Sequence, residues 1–155
     1  MAVTTGLILV PILIYAAYCD LRYMRIPNAI SLALTVLFAL SVLVAPPADL
    51  ASRIAVAAAI FAIGYIGFSL RLVGGGDVKF LAALALFVPA SALVLFANLF
   101  SAALLLGVAF IVAAQRSPLA QAGWKSFSAR GRFPMGLSIS MAGLALITLS
   151  LRAIW

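Results

Sequence analysis

Long apolar runs separated by short polar segments dominate the chain. A helix that crosses a membrane needs about 20 mainly apolar residues, with a range of about 17–25. We interpret the apolar runs as six transmembrane helices. They cover residues 3–19, 28–45, 52–73, 78–90, 92–114 and 135–153. The pattern therefore predicts an all-α, polytopic membrane protein with a single transmembrane domain over residues 1–155.

The boundary between the fourth and fifth spans rests on a proline. Residues 78–114 form one apolar stretch that is too long for a single helix. The segment Val88-Pro89-Ala90-Ser91 favours a turn, because proline interrupts the helical hydrogen-bond ladder. We therefore predict a short fourth span at 78–90 and a fifth at 92–114.

The distribution of basic residues tests this division. With six spans, the first, third and fifth loops lie on one side of the membrane. That side carries eight basic residues and the opposite side two, and loops rich in Lys and Arg face the cytoplasm. The eight are Arg22, Arg25, Arg71, Lys79, Arg116, Lys125, Arg130 and Arg132, and the two are Arg53 and Arg152. We therefore expect the three basic loops in the cytoplasm and both termini outside it.

Composition excludes several kinds of chemistry. Only 8% of the residues are charged, against about 25% in soluble domains, so a soluble packed core is excluded. The net charge of +7 lies in short loops that membrane orientation explains, so we predict no nucleic-acid partner. Without histidine there is no Ser-His-Asp or Cys-His catalysis, and the single cysteine, Cys19, permits neither a disulfide nor a thiolate cluster. We expect Cys19 to be buried, and we predict no metal and no cofactor.

The acidic residues are three aspartates, Asp20, Asp49 and Asp77. The predicted topology places Asp20 and Asp77 at span ends on the cytoplasmic side and Asp49 in an outer loop as an ordinary charge. Two neighbouring carboxylates do not both ionise cheaply, so one keeps a proton while the other activates water. This predicts a hydrolytic dyad. The alternatives are a solvated acid in a flexible turn for Asp77, and pairing with Arg22 or Arg25 for Asp20.

The neighbouring residues suggest how a substrate reaches this pair. Gly74 and Gly76 remove side chains ahead of Asp77, which permits close approach of a substrate backbone and φ values that other residues avoid. Ile26-Pro27-Asn28 opens the second span, with proline near the first helical turn. Lys79 has three alternative roles: to hold the negative charge of the dyad, to bind an acidic group of the substrate, or to extend to the membrane interface.

The largest polar segment covers residues 115–134 and mixes aromatic and basic side chains. Such a mixture suits a loop against anionic lipid headgroups, and guidance of a substrate is the alternative. The residues concerned are Trp124, Lys125, Phe127, Arg130 and Arg132.

At this point the motifs resemble those of the type IV prepilin peptidases. Gly74-Gly75-Gly76-Asp77-Val78-Lys79 is similar to their GxGDxK motif, and Asp20 followed by Arg25-Ile26-Pro27-Asn28 is similar to their first aspartate motif. Pro134-Met135-Gly136 resembles a Pro-x-Gly element near the last span. The small size resembles the Tad/Flp-pilus branch or the archaeal preflagellin peptidases. The paired CxxC motifs of the larger, bifunctional members do not occur in this sequence.

The resemblance implies a membrane aspartic endopeptidase with Asp20 and Asp77 as its catalytic pair. Such enzymes remove the short basic leader of prepilins or pseudopilins at the cytoplasmic face of the bacterial inner membrane, cutting after a glycine just before the apolar segment. A prepilin or pseudopilin is then the protein partner, and methyltransferase activity is not expected. The other residues of these motifs, expected to border the approach of the substrate, are Gly74, Gly76, Lys79, Pro27 and Asn28.

The alternative from another class is a non-enzymatic transport or assembly subunit. It would use the two aspartates for an ion pathway or for helix pairing. Acids used in transport usually lie near the bilayer centre, whereas Asp20 and Asp77 are predicted at span ends, which favours the protease. The sequence makes no prediction of an oligomeric state.

Overall fold

The computed structural model describes residues 3–121, 123–128 and 133–152, and this part of the chain is helical without strands. Its helices are α1 (Val3–Tyr23), α2 (Asn28–Val44), α3 (Leu50–Ser69), α4 (Gly75–Ala85), α5 (Leu93–Gln115), α6 (Lys125–Ser128) and α7 (Met135–Arg152). The predicted all-α class is confirmed. Arg130 and Arg132, which entered the charge prediction, lie outside the described residues.

Four of the predicted spans have the length and apolar character that a membrane crossing requires. They are Thr5–Tyr23, Leu50–Ser69, Ala90–Gln115 and Met135–Arg152. Of the remaining two candidates, α2 is apolar but has only 17 residues, and α4 has 11 residues that include Asp77 and Lys79. Large apolar side chains are exposed on the outer surface, among them Leu43 at 81% and Leu105 at 75%. Such a surface suits lipid better than water, as expected of a membrane protein.

Helix α7 lies at the centre of the bundle. It packs against α1 and α5 and touches α4, and α4 in turn lies between α2 and α3. A Cβ on Gly143 of α7 would lie 2.9 Å from Leu13 of α1 and 3.1 Å from Leu84 of α4, so glycine permits the close approach. The Ser138 hydroxyl donates a 2.9 Å hydrogen bond to the Ala103 carbonyl of α5. Small residues and interhelical hydrogen bonds are typical of helix packing in membranes.

Helix α1 extends beyond the predicted end of the first span at residue 19. It includes Asp20 and ends at Tyr23. Met24 then adopts a left-handed φ of 51°, and its N–H donates to the Asp20 carbonyl oxygen at 2.8 Å. A left-handed residue after the last turn is a common helix end. Asp20 therefore lies on the helix and not in the loop that follows it.

The connection between α3 and α4 also differs from the predicted boundaries. Helix α3 ends at Ser69, before the predicted end at residue 73, because Arg71 adopts a left-handed φ of 60°. Helix α4 begins at Gly75, before the predicted start at residue 78, with Gly74 as its N-cap. Asp77 consequently lies in the first turn of a helix, and the alternative of a flexible turn for this residue is wrong.

The predicted turn at 88–91 is confirmed, and a polar cluster holds it in place. The Arg53 side chain donates to the Phe87 carbonyl at 3.2 Å and to Asp49 Oδ1 at 2.7 Å. Asp49 Oδ2 accepts the N–H of Ala90 at 2.9 Å. We call these four residues the Asp49–Arg53 cluster. Asp49 was expected to be an ordinary loop charge, but its carboxylate joins α3 to the connection between α4 and α5.

The polar segment at 115–134 is attached to α1 through α6. The Ser126 hydroxyl donates to the Leu21 carbonyl at 2.6 Å, and the Phe127 side chain is buried. The Trp124 ring stacks on that of Phe127 at 5.5 Å and meets the Tyr18 ring edge-on at 6.0 Å. The prediction of a loop on the lipid surface is therefore wrong for Phe127, which contributes to the protein interior.

Candidate active site

Asp20 lies in the last turn of α1, and its side chain is buried with 4% of the residue exposed. Its Oδ2 accepts the N–H of Leu137 at 3.2 Å, and the neighbouring N–H of Gly136 also stabilises the ionised carboxylate. Both donors belong to the first turn of α7. The first N–H groups of a helix have no partner within the helix, and the helix dipole there favours negative charge. The start of α7 therefore stabilises and orients the Asp20 carboxylate.

Asp77 is the third residue of α4, and its side chain is partly buried. The carboxylate reaches back to the N–H of Gly74, the N-cap of the same helix. A side chain at the third helical position that bonds to the N-cap N–H forms half of a capping box. The local sequence thus fixes the Asp77 carboxylate at the start of α4.

The two aspartates share one amide and one cleft. The N–H of Gly136 stabilises the ionised forms of both Asp20 and Asp77. The cleft that they line has a volume of about 590 Å³. Its other lining residues are Met24, Arg25, Ile26, Pro27, Asn28, Gly74, Gly75 and Gly76. The predicted pair is therefore brought together, by residues from α1, α4 and the start of α7.

The electrostatic setting allows the pair to retain a proton near neutral pH. Burial, followed by the negative charge of Asp20, raises the pKa of Asp77 to about 7. The N–H groups of Gly136 and Gly74 act in the opposite direction, because they stabilise the ionised form. Two carboxyl groups of which one is protonated can act together as a general acid and a general base.

The glycines before Asp77 are needed for close packing rather than for unusual backbone angles. None of these three glycines, all described by the structure, has a positive φ, so that expectation was wrong. A Cβ on Gly74 would collide with Oδ2 of Asp77, and one on Gly76 would lie 3.3 Å from the Ile26 carbonyl oxygen. Gly74 makes room for the carboxylate, and Gly76 lets the connection between α1 and α2 pack against α4.

Of the remaining motif residues, Pro27 and Asn28 line the cleft, and Lys79 lies beside Asn28. Pro27 is the N-cap of α2, and Asn28 is its first residue. The exposed Lys79 ammonium donates to Asn28 Oδ1 at 3.3 Å, which links α4 to α2. This contact favours a role for Lys79 at the entrance over the alternative of holding the charge of the dyad.

The alternative interpretation of Asp20 as one half of a surface ion pair is wrong. In the described part of the chain, neither Arg22 nor Arg25 forms a salt bridge with Asp20. The Arg22 guanidinium lies over the Tyr18 and Tyr23 rings, at 5.9 and 5.7 Å from their centroids. Arg25 lines the cleft. Asp20 is instead stabilised by backbone N–H groups.

Sequence reasoning missed the main hydrogen-bond donors of the site, which are the N–H groups of Gly136 and Leu137. A backbone donor leaves no residue-type signal, although Pro134-Met135-Gly136 had been singled out as a motif. Gly136 is also a steric requirement. A Cβ there would collide with Ile26 Cδ1 and would lie 2.9 Å from Asp20 Oδ2.

Comparison with known proteins agrees with this geometry. A sequence model of the type IV leader peptidase family matches residues 7–115, a range that covers well over half of the chain and includes both Asp20 and Asp77. No curated protein and no solved structure matches the chain. The matched range ends before α7, whose first turn supplies the donors described above. With its family match and its paired carboxylates, the chain belongs to the type IV leader peptidase family, a family of proteases.

Proposed function

We propose that the protein is a membrane aspartic endopeptidase in which Asp20 and Asp77 form the catalytic pair. Its substrates are type IV prepilins or pseudopilins, from which it removes the short basic leader. The proposal includes the six-span topology, with both termini outside the cytoplasm and the pair at the cytoplasmic face of the inner membrane. Eight of the ten basic residues belong to the sequence segments assigned to that face, either in loops or at the adjoining helix ends, which supports this orientation.

One observation carries the proposal: Asp20 and Asp77 line one cleft, where the Gly136 N–H stabilises the ionised form of both carboxylates. Their proximity favours a singly protonated pair, and the raised pKa of Asp77, about 7, keeps that state available near neutral pH. A transport role is less well supported, because acids in transport pathways usually lie near the bilayer centre. Asp20 and Asp77 lie instead at helix ends that face a cleft.

The proposed reaction uses the pair first as base and acid, then in the reverse roles. The ionised carboxylate takes a proton from water, and the oxygen of that water bonds to the carbonyl carbon of the scissile peptide. The protonated carboxyl gives its proton to the carbonyl oxygen. In the second step the carboxyl that first acted as base protonates the amine nitrogen, and the C–N bond of the tetrahedral intermediate breaks. The other carboxylate takes a proton from one hydroxyl of the intermediate, which becomes the new carboxylic acid. The pair titrates as a unit, so the two roles belong to the pair rather than to one named aspartate.

The position of the site suits a substrate that crosses the membrane. A peptide bond within a helix is shielded and already hydrogen-bonded, so the scissile segment has to be extended. The residues before the apolar segment of a prepilin can be extended at the membrane surface. A cleft between the end of α1 and the start of α4 is suited to receive such a segment from the aqueous side.

The test is removal of the leader from a prepilin of the same genome, co-expressed with the protein and followed by mass. We expect Asp20→Asn and Asp77→Asn each to lower the cleavage rate by about 10²–10⁴-fold, the usual contribution of a general acid or base. Both variants should remain in the membrane with their helical content unchanged.

Asp49→Asn is the matched control, because it makes the same chemical change at the remaining aspartate. It should leave cleavage near the wild-type rate. Normal cleavage by either of the two variants in the pair would refute the proposed catalytic role.

A further inference from the structure

A second groove runs along the bundle between α2 and α3, with α4 as its floor. Helix α4 packs against both neighbours, whereas among the described residues α2 and α3 have no extended contact with each other. The space left between them has a volume of about 720 Å³. We call it the lateral groove. It is lined chiefly by Leu32 and Thr35 of α2, Phe61 of α3, and Ala82 and Ala83 of α4.

The lateral groove leads directly to the cleft that holds the two aspartates. Asn28 lines both spaces, and Lys79 lines the groove beside it. Their side chains are joined by the 3.3 Å hydrogen bond described above, so a polar contact marks the junction. A segment that lies in the groove would continue past this contact into the cleft.

The chemistry of the groove fits a peptide better than a lipid chain. The exposed side chains of Asn28 and Lys79 line the end of the groove beside the cleft, so an occupant meets polar groups there. An acyl chain has no polar atom to offer there, whereas a partly unwound peptide offers both N–H and C=O groups.

The length of the groove also suits the beginning of a helix. Along α2 the groove extends from Asn28 to Thr35. This separation of seven residues corresponds to a rise of about 10 Å, or two turns of helix. The alanines of its floor leave room for side chains of a docked segment. The exposed walls, Leu32 and Phe61, are apolar and are exposed at 64% and 44%.

We propose that the lateral groove holds the first two turns of the apolar segment of the substrate and so directs the preceding residues into the cleft. This inference rests on the proposed function, because it assigns a docking place to that substrate. It predicts that the groove recognises the apolar segment, while the cleft recognises the residues at the cleavage site.

The experiment compares two substrates in reconstituted membranes. One is a prepilin with its apolar segment, and the other is a short peptide that covers only the leader and the cleavage site. Thr35→Trp fills the groove. Ala33→Trp is the control, because Ala33 is exposed on the same helix and lies two residues away, about 200° around the helix axis.

We expect Thr35→Trp to lower kcat/KM for the prepilin by about tenfold or more, chiefly by raising KM. A loss of that size corresponds to the binding energy of one buried apolar side chain. Cleavage of the short peptide should stay near the wild-type rate, and Ala33→Trp should leave both reactions unchanged. Unchanged prepilin cleavage by Thr35→Trp, or an equal loss for both substrates, would overturn the proposed docking.

Crosslinking gives a readout that does not depend on cleavage. A cysteine in the first two turns of the substrate's apolar segment should form a disulfide with Thr35→Cys and not with Ala33→Cys, while the native Cys19 is buried. Equal crosslinking at both positions, or at neither, would contradict the docking. Failure of the unsubstituted protein to cleave either substrate would instead contradict the proposed function, and the crosslink would still test the groove.

Discussion

At the residue scale, the amide of Gly136 determines how the two aspartates are held. Its N–H stabilises the ionised form of both carboxylates, and the Leu137 N–H donates to Asp20 Oδ2 at 3.2 Å. The donors come from the unpaired first turn of α7, so the arrangement uses no basic side chain. Neutral donors stabilise a carboxylate less than a bound cation would, which leaves a proton available to the pair.

Gly136→Ala is expected to disturb this arrangement without unfolding the bundle. The new Cβ would collide with Ile26 Cδ1 and press against Asp20 Oδ2, so the carboxylate has to move. A displacement of about 1 Å in an active site can cost about 10²-fold in rate. Measurement of kcat/KM on a prepilin should show a loss of that order.

Gly6→Ala provides the comparison for this variant. A Cβ at Gly6 would meet only Ile147, at an ordinary contact distance of 3.5 Å. Activity should be retained there. Equal activity of the two variants would show that the Gly136 amide does not position the pair.

At the element scale, the short length of helix α4 explains why polar groups contact the backbone at both of its ends. It has 11 residues and is about 17 Å long, well below the roughly 30 Å hydrocarbon core of a membrane. Non-helical backbone at membrane depth needs partners from the protein or from water. At one end the cleft supplies them. At the other end the Arg53 side chain donates a hydrogen bond to the Phe87 carbonyl, and the Asp49 carboxylate accepts one from the Ala90 N–H.

Arg53→Met tests the importance of that second end. The substitution keeps much of the apolar stem but leaves the Phe87 carbonyl without its donor, and the Asp49 carboxylate keeps only the Ala90 N–H. We expect a loss of about 1–3 kcal/mol in the free energy of unfolding, typical of a buried hydrogen bond to a charged group. Thermal unfolding in detergent measures it.

Arg152→Met is the reference, because Arg152 is exposed at the end of α7. Its unfolding temperature should equal that of the wild type. Equal unfolding temperatures for Arg53→Met and the wild type would show that the Asp49–Arg53 cluster does not stabilise the connection between α4 and α5.

At the scale of the whole molecule, the apolar runs predicted the helices, and the proline at 89 predicted the break between α4 and α5. The ends of α1 and α3 were not predictable, because Met24 and Arg71 adopt left-handed φ values without the glycine that usually signals them. The sequence motifs identified Asp20 and Asp77 as the candidate pair. The donor role of Gly136 was not predictable, since it depends on how α7 packs against α1 and α4.

The central claim is that Asp20 and Asp77 share a proton, and infrared titration of the purified protein tests it most directly. The raised pKa of Asp77 means that its carboxyl holds a proton up to about pH 7 and loses it above that value. Hydrolysis, which needs one protonated and one ionised carboxyl, should decline over the same range.

We predict that the C=O band of a protonated carboxyl group persists at pH 6 and disappears with a midpoint of about 7. The Asp49→Asn variant should keep this transition, and Asp20→Asn should move it to lower pH, because the negative charge of Asp20 contributes to the raised pKa of Asp77. Loss of every carboxyl band near pH 4, the ordinary range of about 3.9 for aspartate, would contradict the shared proton.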